Sequence, residues 1–182
     1  QADVAGMLDI YVPQIEQSAV TFEFTVPTPA EFWSRIEAVL AEAPWLVCTQ
    51  GDTVLGYAYA SKHRARDAYR WTRELSVYIH PEHSAKGIAT ALYVALIALL
   101  RAQGYATILG GIVLPNAASV RLHQKLGFRR IGVYRQVGFK LGQYWDVEWW
   151  ELALRSEPAG EVLALEKLVG TPVWEAAISK NQ

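Results

Sequence analysis

The chain has 182 residues, with 17 Lys and Arg against 18 Asp and Glu, for a net charge of −1. That balance excludes the basic excess a nucleic-acid-binding face requires, and a single cysteine, Cys48, excludes an internal disulfide. The longest fully apolar run, Ala91 to Leu100, has ten residues, against the roughly 20 of a membrane span; with no leader pattern at the start, a soluble, cytoplasmic protein is expected.

Residues 2–17, ADVAGMLDIYVPQIEQ, read as a helix with Asp3 near its start and Pro13 as a kink point. TFEFTVPTP follows as an extended loop, because two prolines in three residues oppose helix. A second helix spans 28–42, with Thr28 as N-cap, Pro29 at the first helical position and Glu31 as the capping-box carboxylate. In WLVCTQGDTVLGYAYASKH two apolar runs flank Gly51-Asp52, the mark of a hairpin. ELSVYI, 74–79, is a third strand, followed by a helix over 87–103 that Gly104 stops. ATILGGIVL, 106–114, is a buried strand, and NAASVRLHQKLG a short helix capped by Asn116 and stopped by Gly127. Two further strands meet at the turn around Gly142, and a tail from Ser156 carries a short apolar helix near 161–169. The order predicts an α/β domain over 1–155, with a mixed, mostly antiparallel sheet and one crossover helix, and a C-terminal extension over 156–182.

The stretch HPEHSAKGIATALY, 80–93, brings a strand into a helix through one glycine. A helix N-terminus exposes unpaired N–H groups and a partial positive charge. Gly87 lets backbone approach a bound group, Ala85 and Ala89 are small, and Lys86 adds a cation. Together they read as an anion site suited to a pyrophosphate, although the pattern is neither G-x-x-x-x-G-K-[ST] nor G-x-G-x-x-G. A plain tight turn with a solvated lysine remains the alternative. In ELSVYI, Glu74, Ser76 and Tyr78 project to one face, and Leu75, Val77 and Ile79 to the other. The apolar face can pack under the following helix. The polar face then opens on a cleft, with Trp71 and Tyr78 flanking the Glu74 carboxylate.

These residues resemble the acyl-CoA-binding segment of the GNAT superfamily of N-acetyltransferases. The superfamily's pattern [Q/R]-x-x-G-x-[G/A] is matched at Gly87 and Ala89, with Ser84 in place of the leading Gln or Arg. PWLV, ARDAYRWTRE, VYIHPEH, LPNAASVRLHQKLGF, GFKLG and DVEWW follow the order and spacing of the phosphinothricin and methionine-sulfone N-acetyltransferases over roughly residues 8–154. That family begins with a β-strand ahead of the ADVAGML helix, and the sequence given starts after it.

The resemblance implies acetyl transfer from acetyl-CoA to the primary amine of a small substrate, directly, with no acyl-enzyme and no metal. It implies Glu74 as general base, the backbone N–H of Tyr78 or a neighbour as oxyanion donor, and His123 as general acid, in a slot where many of these enzymes carry tyrosine. Val77, Tyr78 and Ile79 are expected alongside the pantetheine, Ala85, Lys86, Gly87, Ile88, Ala89 and Thr90 around the pyrophosphate, and Asn116 against the cofactor as well as capping its helix. Phe22, Trp71, Tyr93, Arg66 and Lys140 are expected around the acceptor. His63, His80 and His83 read as loop residues, and Cys48 as a small buried hydrophobe. A homodimer is implied, with the YWDVEWW strand suited to its seam. Two other readings stay open, a peptide N-terminal acetyltransferase and a non-catalytic acyl-CoA sensor.

Overall fold

The computed structural model describes residues 2–155, 157 and 160–179. Helices α1 (Val4–Gln17) and α2 (Pro29–Leu40) precede strands β1 (Trp45–Gln50), β2 (Thr53–Lys62) and β3 (Thr72–Ile79). Helix α3 (Ile88–Gln103), β4 (Thr107–Val113), α4 (Ala117–Lys125), β5 (Arg129–Lys140), β6 (Gln143–Ala153) and α5 (Pro172–Ser179) follow. One six-stranded sheet runs in the order β1-β2-β3-β4-β6-β5. Only β3 and β4 are parallel, joined by the α3 crossover; the other neighbours are antiparallel.

Local chemistry explains the elements. Thr28 Oγ1 accepts from the Glu31 amide while the Glu31 carboxylate accepts from the Thr28 amide, which completes the capping box of α2. Asp3 stands at the N-cap of α1 but makes no side-chain cap bond, and Pro13 lies within that helix. Gly104 ends α3 at φ +93.

Alternation in the strands divides the core in two. Leu75, Val77 and Ile79 pack with Leu92, Leu96 and Leu100 of α3, and Val120 and Leu122 of α4 join them. On the other face α1 and α2 cover Tyr57, Tyr59 and Tyr78 with Met7, Ile10, Phe32 and Ile36.

The tail departs from expectation. No α-helix forms over 161–169; a short 3₁₀ turn spans Leu165–Lys167, and the helix is α5, at 172–179. The buried Gln103 explains the shift. Its backbone carbonyl accepts from the Leu163 amide at 2.8 Å, and its side-chain Nε2 donates to the Leu163 carbonyl at 2.9 Å. Leu163 is thereby taken out of i→i−4 pairing. Thr171 Oγ1 then accepts from the Trp174 amide at 3.4 Å at the start of α5. Leu168, Val173, Trp174 and Ala177 pack on Ala95 and Leu99 of α3.

Candidate active site

Strands β3 and β4 pair only through Thr72–Glu74 and Thr107–Leu109, although both run on, to Ile79 and Val113. Beyond Glu74 they diverge and open a groove of about 640 Å³. Leu75–Ile79 line one wall, Gly111–Val113 the other, and residues of α3 and α4 close the base. The exposed edge of β3 has a definite polarity. Val77 lies opposite Ala58 and Tyr78 opposite Tyr57, and the His80 amide donates to the Leu55 carbonyl at 2.9 Å. Hydrogen-bonded pairs alternate along an antiparallel ladder. Residues 74, 76 and 78 therefore point their backbone groups at β2, and Leu75, Val77 and Ile79 point theirs into the groove. The Tyr78 N–H is turned away; its neighbours supply the free donors.

The mouth of the groove is the start of α3. Gly87 caps it at φ +85, a left-handed conformation that glycine adopts without strain. The helix has no side-chain cap bond and no acidic residue in its first turn, so its first N–H groups are left for a ligand. Ser84, Ala85, Gly87, Ile88, Ala89 and Thr90 all line the groove. Lys86 does not; its Nζ lies 3.2 Å from His83 Nδ1. Arg121 and Lys125 of α4 line it instead. The sequence reading missed them, and their i, i+4 spacing on one helix face was the available signal.

Asn116 borders the groove and caps α4, its Oδ1 accepting from the Ser119 amide at 3.0 Å. His123 also borders it, 2 % exposed. Its Nδ1 lies 2.8 Å from the Ser119 carbonyl, which can only accept, so Nδ1 carries the hydrogen. Nε2 keeps a lone pair and packs against Gly110, where any Cβ would collide with it. Burial, partly offset by the Ser119 bond, pushes the His123 pKa down and favours the neutral ring. As placed, His123 is not a proton donor to the groove. Tyr93 is buried on α3 and meets the His123 ring edge-on at 5.6 Å. It belongs to the α3 side, not to the Glu74 face.

Glu74 stands at the apex where the paired ladder ends, on the face opposite α3. Its carboxylate is hydrogen-bonded to His63 Nδ1, a contact the reading of His63 as a loop residue did not foresee. The flanking indole is not Trp71, whose Nε1 donates to the Gly160 carbonyl at 2.7 Å while Arg70 stacks on its ring at 4.0 Å. Trp149 of β6 lies beside His63 instead, ring centroids 6.4 Å apart. Tyr78 turns its ring into the aromatic cluster of Tyr11 and Tyr57, and burial raises its pKa.

Three other expected acceptor residues sit elsewhere or act structurally. Lys140, 3 % exposed, donates from Nζ to the Thr21 carbonyl at 2.6 Å and to the Gln14 carbonyl at 3.3 Å. It ties down the 18–28 segment and is not free for a substrate anion. Arg66 is exposed, caps the 3₁₀ turn Asp67–Tyr69 and borders a second depression of about 490 Å³ with Arg70 and Arg73. Phe22 lies against Gly138 of β5.

The sequence model of the acetyltransferase (GNAT) domain matches residues 1–149. The chain belongs to the GNAT acetyltransferase family. It is 39% identical over 150 residues, 82% of each chain, to a phosphinothricin N-acetyltransferase of Streptomyces viridochromogenes. It is 35% identical over 161 residues, 87% of this chain and 94% of the relative, to an L-methionine sulfoximine/L-methionine sulfone acetyltransferase of Salmonella typhimurium. A phosphinothricin acetyltransferase from Sinorhizobium meliloti, solved in complex with acetyl-CoA, superposes with a TM-score of 0.83 at 32% identity, covering 88% of this chain and 90% of that one.

This GNAT protein is an acetyl-CoA-dependent N-acetyltransferase, and its groove fits that co-substrate. An uncapped helix start without acidic side chains suits a pyrophosphate, Arg121 and Lys125 suit further phosphate, and the unpaired edge of β3 suits the amides of a pantetheine arm. Among the described residues, one group offers metal-ligand atoms close together, the half-buried His80 and His83 and the exposed Glu82 between them.

Proposed function

We propose that the chain acetylates the α-amino group of a small amino-acid-like substrate of the kind its relatives are named for, phosphinothricin, methionine sulfone or methionine sulfoximine. One observation carries the reading: Glu74 holds a carboxylate at the apex of the β3–β4 opening, on the face opposite α3. The groove opens to the same apex from the α3 side, so a donor and an acceptor can meet there from opposite faces. When bound, acetyl-CoA supplies the acetyl group as a thioester.

The chain's own residues supply the rest. The acceptor arrives as an ammonium and must lose a proton before it can attack; that proton leaves toward Glu74. The N–H of Val77, midway along the free edge, is assigned to the charge that develops on the carbonyl oxygen. His123, with its Nε2 unprotonated, serves as wall and not as acid.

The oligomer belongs to the same reading. The β5–β6 hairpin exposes Val137, Phe139, Leu141 and Tyr144, each more than half open, and Phe139 and Tyr144 pair across it with rings 5.0 Å apart. The tryptophans of β6 are less open than these residues, so the apolar surface comes from β5 and the turn. We assign this patch to a homodimer seam. The need for acetyl-CoA supports a cytoplasmic location; no helix among the described residues is long and apolar enough to cross a membrane.

Thiol release from acetyl-CoA across a panel of amines tests the proposal. Turnover with at least one of the three amino-acid analogues is expected; activity confined to a peptide N-terminus would overturn it.

A further inference from the structure

We infer that His63 Nε2 is the atom that takes the proton from the acceptor's ammonium, with Glu74 as the anion that positions the ring; this rests on the placement of Glu74 in the reading above. His63 directly follows Lys62, the end of β2, and Ser61 of that strand pairs with Glu74. The ring is fixed on three sides. Nδ1 is hydrogen-bonded to Glu74 Oε1, Tyr69 meets the ring edge-on at 5.4 Å, and Trp149 meets it at 6.4 Å.

The second ring nitrogen decides the chemistry. Arg64 Nε lies 3.3 Å from His63 Nε2. A guanidinium has no lone pair to offer, so Nε2 must be the acceptor. The hydrogen then sits on Nδ1 and points at the carboxylate. The result is a carboxylate–imidazole pair whose second lone pair, on Nε2, is met only by the long Arg64 bond, the arrangement that turns histidine into a general base. Arg64 is exposed and its bond is long, so a substrate ammonium can replace it. The His63 side chain is 15% exposed, enough to be reached and little enough to be held.

The proton balance is complete. One N–H bond of the ammonium breaks and its proton bonds to Nε2. The electron pair left on nitrogen attacks the acyl carbon, the acyl carbon–sulfur bond breaks with its pair going to the coenzyme A sulfur, and the second proton that the nitrogen sheds on becoming an amide goes to that thiolate. The imidazolium is neutralised by Glu74 and returns its proton to solvent. The groups facing the ring are Glu74 from β3, Tyr69 from the 3₁₀ turn, Trp149 from β6 and Arg64 beside it; Lys62 is engaged by Glu42.

The test uses the full chain with His63→Ala, His63→Gln, His63→Phe and Glu74→Gln. His63→Ala and His63→Gln should each lower kcat by about 100-fold, with acetyl-CoA affinity unchanged by calorimetry. Imidazole added to the buffer should restore at least ~10-fold of that loss in His63→Ala and none in His63→Phe, where the new ring fills the space; a structural role for His63 would not respond this way. ¹⁵N spectra of the ligand-free protein should show the hydrogen of neutral His63 on Nδ1, a preference that weakens in Glu74→Gln. Near wild-type turnover and an unchanged pH–rate profile in folded His63→Ala or His63→Gln would overturn the inference, as would a hydrogen on Nε2. If Glu74→Gln alone loses activity, His63 is excluded and Glu74 stands; if neither variant loses it, the placement of Glu74 falls too.

Discussion

At the scale of single residues, a carboxylate at Gly87 would stand where the free N–H groups of α3 collect. Gly87→Asp should weaken acetyl-CoA binding by at least ~10-fold, which requires only about 1.4 kcal/mol; unchanged affinity in a folded variant would remove the pyrophosphate from that loop. His123 makes a pH prediction. Burial lowers its folded-state pKa below the usual imidazole value, so between those two values the unfolded chain binds the extra proton. Its contribution to stability is complete above about pH 6.5 and is lost as pH falls through the folded value. The loss of melting temperature on acidification below pH 6.5 should shrink in His123→Gln, measured as the difference between the two proteins across pH 7.5 to 5; parallel curves would show that His123 does not titrate against folding. The face on which Glu74 stands was legible because strand alternation fixes it from sequence alone. His63 was not, since its meeting with Glu74 depends on the register of β2 against β3. Lys140 and Trp71 misled for a related reason: their polar atoms are taken by carbonyls of segments 119 and 89 residues away, and spacing along the chain says nothing of such partners.

At the scale of elements, the capping box of α2 and the glycine stop of α3 were readable because caps are local chemistry. The tail was not. An apolar stretch at 161–169 has helical composition, but Gln103 pairs with its backbone and Gly170 sits at φ +75 just beyond, so the helix starts only at Pro172. Leu168 is 5% exposed in the contact of this tail with α3. Leu168→Ala should therefore cost about 3 kcal/mol in urea denaturation while leaving acetyl-CoA affinity intact. A cost under about 1 kcal/mol would mean that the tail does not stay docked on α3.

At the scale of the whole molecule, the succession of helices, hairpin, crossover and final hairpin implies the mixed sheet. The point at which β3 and β4 stop pairing was not implied, because both strands continue as good strand sequence past it. That divergence gives the molecule two sides: the uncapped start of α3 with Arg121 and Lys125 on one, carboxylate, imidazole and aromatic side chains on the other. The second side faces the question of which amine is acetylated. Phosphinothricin, methionine sulfone and methionine sulfoximine share a free α-amino group and a tetrahedral polar centre a few bonds away, and a site that hydrogen-bonds that centre leaves its own polar groups unpaired against methionine. The most direct measurement is kcat/KM for these three and for methionine under one set of conditions with saturating acetyl-CoA. At least one of the three should exceed methionine by ~100-fold or more; comparable values for all four would contradict an acceptor site built around that centre.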